Sequence, residues 1–75
     1  MSGKVQILVV YKNPSDYPNK FVVREQWAGA GGIEFADSPL CVVDTYDEIL
    51  PHIPNWMVKI MRSPEDDPVI LESWL

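Results

Sequence analysis

The first third of the chain alternates apolar and polar positions with the two-residue period of a β-strand. In residues 4–12, Val5, Ile7 and Val9 share one face, and the opposite face is also partly apolar. A strand that is apolar on both faces belongs at the centre of a sheet. Residues 20–27 show the same alternation, and residues 13–19 between them are rich in Asn, Pro, Ser and Asp. The pattern predicts a hairpin with a long loop.

Four later segments also have strand character. They are residues 33–35, 40–43, 56–62 and 69–75, and Pro68 stands directly before the last of them. Alternation within 56–62 places Trp56, Val58 and Ile60 on one face, and core packing is the expectation for Trp27 and Trp56. Residues 29–32, Gly-Ala-Gly-Gly, are expected to be a flexible connection, because glycine tolerates conformations closed to other residues.

One helix is predicted, and it begins at Thr45. Thr45 and Glu48 have the spacing of a capping box, in which the hydroxyl and the carboxylate each bind an orphan backbone amide. Pro51 lacks an amide proton and Pro54 ends the helix, so its length is one to two turns. The expected fold class is therefore α+β: a single domain over residues 1–75 with a four- or five-stranded, mainly antiparallel sheet and one short helix. The expected order is β-β-(β)-β-α-β-β.

Composition excludes several function classes. Six basic against eleven acidic residues give a net charge of −5, which argues against direct binding of nucleic acid. The single cysteine, Cys41, and the single histidine, His52, are too few for a disulfide scaffold or a zinc finger. Both are interpreted as structural, because Cys41 lies in an apolar run where the pKa of a thiol rises. We therefore expect no enzyme activity, no catalytic residue, no cofactor and no metal site.

Residues 29–32 and the acidic turn lack the patterns of ligand sites. The glycines are not followed by the lysine and helix of a phosphate-binding loop. Glu65, Asp66 and Asp67 are adjacent, whereas calcium ligands are spaced around a glycine. There is no targeting signal and no membrane-length apolar run, so a cytoplasmic protein without membrane contact is expected.

Charge and aromatic residues point to a protein partner. From Glu25 to Val58 the chain has six acidic residues and no Lys or Arg, whereas the first hairpin is basic. The hypothesis is that the protein docks on a basic surface of another protein, with Glu65, Asp66 and Asp67 steering the approach. Tyr17 and Trp74 are the predicted anchors and are expected to be exposed, since Tyr and Trp dominate interface hot spots.

Two segments carry a resemblance. The hairpin over residues 10–24 and the tail over residues 62–75 resemble small uncharacterised bacterial and phage proteins, and this implies no activity. In size and acidity the chain is also similar to small phage inhibitors of host defence, including anti-CRISPR proteins, which implies a DNA-mimicking inhibitor that covers a nucleic-acid-handling surface. The alternative is a structural homo-oligomer that assembles through an exposed strand edge, so a homodimer is a further expectation.

Overall fold

The structure of residues 3–61 and 69–75 is described by a computed structural model. These residues form six strands and one 3-10 helix. The strands are β1 (Val5–Lys12), β2 (Phe21–Gly29), β3 (Gly32–Phe35), β4 (Cys41–Val43), β5 (Lys59–Met61) and β6 (Ile70–Trp74), and the 3-10 helix (Tyr46–His52) lies between β4 and β5.

All strand pairs are antiparallel, and β1 lies at the centre. The sheet order is β3-β2-β1-β6-β5, and β4 pairs with β2 beside β3. Because β3 and β4 pair with successive parts of β2, the six strands make a sheet that is five strands wide. The α+β class, the antiparallel sheet, the central first strand and the element order are confirmed. The sheet has six strands where four or five were expected.

The long loop of the first hairpin is held by local polar contacts. Asn13 and Asn19 adopt positive φ, and the Asn19 amide donates to the Asn13 side-chain oxygen over 2.7 Å. Asp16 in the loop pairs with Arg24 of β2 over 2.7 Å, which directs the loop toward the face of the sheet that carries Arg24. At this end of that face Val22 is fully buried.

Residues 29–32 form a tight hairpin turn between β2 and β3. Gly29 and Gly32 pair with each other across the hairpin, so Ala30 and Gly31 are its two-residue loop. Gly32 has a φ of 114°, a conformation that L side chains rarely adopt. The flexible connection expected from the sequence is thus a defined turn, because backbone pairing continues to its last residues.

The helix begins where the sequence predicts, with different capping chemistry. Thr45 is the extended residue before the helix, but its hydroxyl donates to the Glu48 carboxylate over 3.1 Å and makes no cap bond to an amide. Pro51 lies inside the helix. Since proline removes an amide donor, a short 3-10 helix forms in place of an extended α-helix.

The core lies between the helix and one face of the sheet. Leu8, Val10 and Val23 of the sheet pack with Ile49 of the helix and with Met57, all buried. The strand predicted over residues 56–62 is shorter than expected: β5 starts at Lys59, and Trp56 lies in the turn that precedes it. The core position predicted for Trp56 is wrong, since its side chain is 75% exposed. The two-residue period of β5 continues into the turn that precedes it, where it no longer reports which side chain is buried. In this segment the side chain that packs in the core is Met57.

In the parts of the chain that the structure describes, every helix is too short to cross a bilayer.

Candidate protein-binding surface

The face of the sheet opposite the helix carries a row of side chains that crosses all five strand positions. Because side chains alternate along each strand, residues directly opposite in the register share a face. Phe35 of β3 lies opposite Gln26, and Gln26 lies opposite Ile7 of β1. Leu8 pairs with Trp74, so the register places Ile7 beside Leu75, which bonds through its backbone to Val58.

Two shorter rows flank the first. Val5, Ala28 and Ile33 lie side by side across three strands, and Ser73 lies opposite Ile60. We call the exposed apolar set on this side the open face. It contains seven of the eleven large apolar residues that are exposed in the described parts of the chain: Val5, Ile33, Phe35, Val42, Val58, Ile60 and Leu75.

The open face is exposed because each covering element lies elsewhere. The helix packs on the other side of the sheet against Leu8, Val10 and Val23. The loop of the first hairpin reaches only the end marked by Arg24, where Val22 is buried. Toward the opposite end the Phe35 ring is 64% exposed. An apolar patch of this extent on a small protein marks an interaction surface.

Ion pairs disperse the charge separation seen along the sequence. Lys4 pairs with Glu34, and Lys20 pairs with Asp44, so basic residues of the first hairpin meet acidic residues of the following segment. Arg24 pairs with Asp16 inside the hairpin. At these positions the basic residues of the hairpin and the acidic residues of the following segment neutralise one another, because the sheet brings the two segments side by side.

Of the five predicted partner-binding residues, the structure describes Tyr17 and Trp74. Glu65, Asp66 and Asp67 lie outside the described residues. Tyr17 is half-buried in the loop of the first hairpin, and its amide donates to the carbonyl of Pro14. Their part in binding stays a prediction.

Trp74 is less exposed than the sequence suggested. Its side chain is half-buried against the core, and its indole N–H donates to the Glu72 carboxylate over 2.7 Å. The physical reason is its register: Trp74 lies opposite Leu8, on the side of the sheet that the helix covers. The most exposed tryptophan of the described chain is Trp56. Whether Trp74 anchors a partner remains a prediction.

A buried carboxylate joins the helix to β6. Glu72 is only 3% exposed. The oxygen that accepts the Trp74 hydrogen bond also accepts one from the Tyr46 hydroxyl over 2.7 Å. Burial, followed by the bond to Glu72 and its negative charge, raises the pKa of Tyr46 to about 12. Both donors come from the protein itself, so this cluster is a structural link.

The side chains considered for chemistry are dispersed. Burial raises the pKa of the Cys41 thiol, and a backbone hydrogen bond at Val23 opposes that shift. His52 is exposed at the end of the helix. Across residues 3–61 and 69–75, no three His, Cys, Asp or Glu side chains converge as metal ligands would. The absence of catalytic activity remains a prediction.

A shallow groove lies on the helix side of the sheet, beyond the core. It has a volume of about 490 Å³ and is lined by Lys4, Gln6, Trp27 and Glu34. Lys4 pairs with Glu34, and Gln6 donates to Glu25. Because these polar groups bind one another, the groove is a weaker candidate for a binding site than the open face.

Sequence reasoning missed the open face although its signals were present. Ile33 and Phe35 are two residues apart, and Val5 belongs to an alternating strand. What the sequence did not contain was the register that sets them side by side.

Comparisons with protein-family models, with curated proteins and with solved structures give no match.

Proposed function

We propose that this protein is a non-enzymatic protein-binding module that docks through the open face. The observation that carries the proposal is the row from Phe35 to Val58, which crosses the full width of the sheet and is apolar at every position except Gln26. Burying one exposed large apolar side chain contributes about 1.5–3 kcal/mol, so several of the seven together can offset the cost of association.

The open face determines the chemistry of its partner. In the described residues the charged side chains on this side of the sheet are already paired, Arg24 with Asp16 and Lys20 with Asp44. A complementary surface must therefore be apolar and nearly neutral at its centre. More specifically, the protein would be an inhibitor of the anti-CRISPR kind. Glu65, Asp66 and Asp67 would then steer it toward a basic surface of its partner. In this form of the proposal the net charge of −5 attracts the basic partner, and the open face makes the contact.

The test uses two lysine substitutions of equal charge. Phe35→Lys places a charge on the open face, whereas Met61→Lys changes an exposed residue whose register partner, Glu72, points to the helix side. Each tagged variant is mixed with an extract of the native host and with an untagged copy of the wild-type protein. We expect wild type and Met61→Lys to retain a protein in near-equal molar amount.

Phe35→Lys is expected to retain at least about ten-fold less of it, which corresponds to about 1.4 kcal/mol. Circular dichroism checks that both variants fold. Equal retention by all three proteins would contradict docking through the open face.

A further inference from the structure

We infer that the partner of the open face is a second copy of this chain, packed sheet against sheet in a symmetric dimer. The inference rests on the proposed function, because it names the occupant of the same surface. It is carried by the layer structure, by the charge of the open face and by its size.

One copy has two layers, helix and sheet, with a core between them, and the open face has no layer against it. A stable domain packs its secondary structure in at least two layers around a core. Here the helix covers one face of the sheet, and the loop near Asp16 covers only one end of the other. The rest of that face consists of strand positions that are mostly apolar, with Gln26 and Ser73 among them, and in sandwich proteins such a face packs against a second sheet about 10 Å away.

Charge complementarity favours a copy of the same surface. A twofold interface brings identical patches together, so any unpaired charge near its centre would meet its own like. The described part of this side of the sheet avoids this conflict, since its charged side chains are paired within one copy: Arg24 with Asp16 and, beside Val42, Lys20 with Asp44. The transverse row contains Gln26 as its polar member, and an amide can donate to and accept from its symmetry mate.

The size of the open face meets the requirement of a dimer. A standard interface removes about 800 Å² of accessible surface from each partner, which is about one sixth of the 5131 Å² of this chain. Five strand positions at about 4.8 Å spacing make a face about 20 Å wide. Seven exposed apolar side chains over that width provide a contact of this order.

The experiment is sedimentation equilibrium of the purified full chain between about 1 and 200 μM. Wild type and Met61→Lys are expected to form dimers with equal dissociation constants. Phe35→Lys and, independently, Ile33→Lys are expected to raise the dissociation constant at least ten-fold. The midpoint of thermal unfolding should rise with protein concentration for wild type and Met61→Lys, and less for Phe35→Lys and Ile33→Lys, because a dimer that dissociates on unfolding is stabilised by mass action.

The outcomes separate this inference from the proposed function. A wild-type protein that stays monomeric to 200 μM, but retains a host protein through Phe35, overturns the second copy and leaves the docking surface in place. A monomer that retains no protein through the open face overturns both. A dimer that Met61→Lys disrupts and Phe35→Lys does not would assign the contact to the β5 edge, and would overturn the sheet-to-sheet arrangement.

Discussion

Glu72 is the residue whose position constrains the most neighbours. Its carboxylate is nearly inaccessible to water and accepts hydrogen bonds from the Tyr46 hydroxyl on the helix and from the Trp74 indole N–H on β6. A buried carboxylate is tolerated only when its hydrogen bonds are complete. The helix is therefore tied to the sheet by a polar contact as well as by Ile49, which makes its position on the sheet specific.

Removing one of these donors should destabilise the fold and change its response to alkali. Tyr46→Phe leaves the Glu72 carboxylate with one fewer partner, so we expect a loss of about 1–3 kcal/mol in the free energy of unfolding at pH 7. In the wild type the folded-state pKa of Tyr46, raised to about 12, lies above the unfolded value of 10.0. The folded protein thus holds its proton more tightly, and this contribution is present below pH 10 and lost between pH 10 and 12.

Urea unfolding at pH 7, 9, 10 and 11 measures both effects. The difference in stability between wild type and Tyr46→Phe should be constant up to about pH 9 and shrink above pH 10. A difference that stays constant through pH 11 would show that Tyr46 ionisation is not linked to folding.

The hairpin between β2 and β3 is the element whose geometry depends most on one residue. Gly32 adopts a φ of 114°, whereas Gly31 beside it has no such strain, and a methyl group added there would meet open space. We expect Gly32→Ala to lower the free energy of unfolding by about 1–3 kcal/mol. Gly31→Ala should be tolerated within about 0.5 kcal/mol.

Chemical denaturation of the two alanine variants makes the comparison, because each adds the same methyl group one residue apart. An equal effect of both substitutions would contradict a role for the Gly32 backbone conformation.

Local patterns in the sequence predict whether a segment is a strand or a helix. They do not predict which strands lie beside one another in the sheet. Alternation in residues 4–12 and the Thr45–Glu48 spacing were sufficient for β1 and for the start of the helix. Trp56 fits the two-residue apolar period of Val58 and Ile60, although it lies in the turn before β5. The period alone therefore predicts a strand at Trp56. The open face needed the long-range register of five strands, and no local pattern in residues 33–35 specifies which strand lies beside them.

At the scale of the whole molecule, net charge distinguishes the two kinds of partner. Two copies at −5 each repel, and for a contact through an apolar face this repulsion is the part of the binding free energy that depends on salt. Raising NaCl from 0.1 to 1 M shortens the Debye length from about 10 to about 3 Å. The dissociation constant of the dimer should therefore stay constant or fall. A complex with a basic partner surface would weaken instead.

Sedimentation of the purified protein and titration with any retained partner at both salt concentrations provide the measurement. Dimer dissociation that increases with salt would contradict an apolar contact, and salt-insensitive binding of a second protein would remove the steering role given to Glu65, Asp66 and Asp67.

The pairing of β1 with β6 has a consequence for the folding kinetics. β1 meets β2 across the loop of residues 13–20, but its other edge pairs with β6, which lies far along the chain and places Trp74 opposite Leu8. The chain between the end of β1 at Lys12 and the start of β6 at Ile70 must close into a long loop. This closure is slow, because conformational entropy is lost before the contacts between the two strands are gained. We expect the β1–β2 hairpin to form first and the central strand to wait, with one edge unpaired, until β6 arrives.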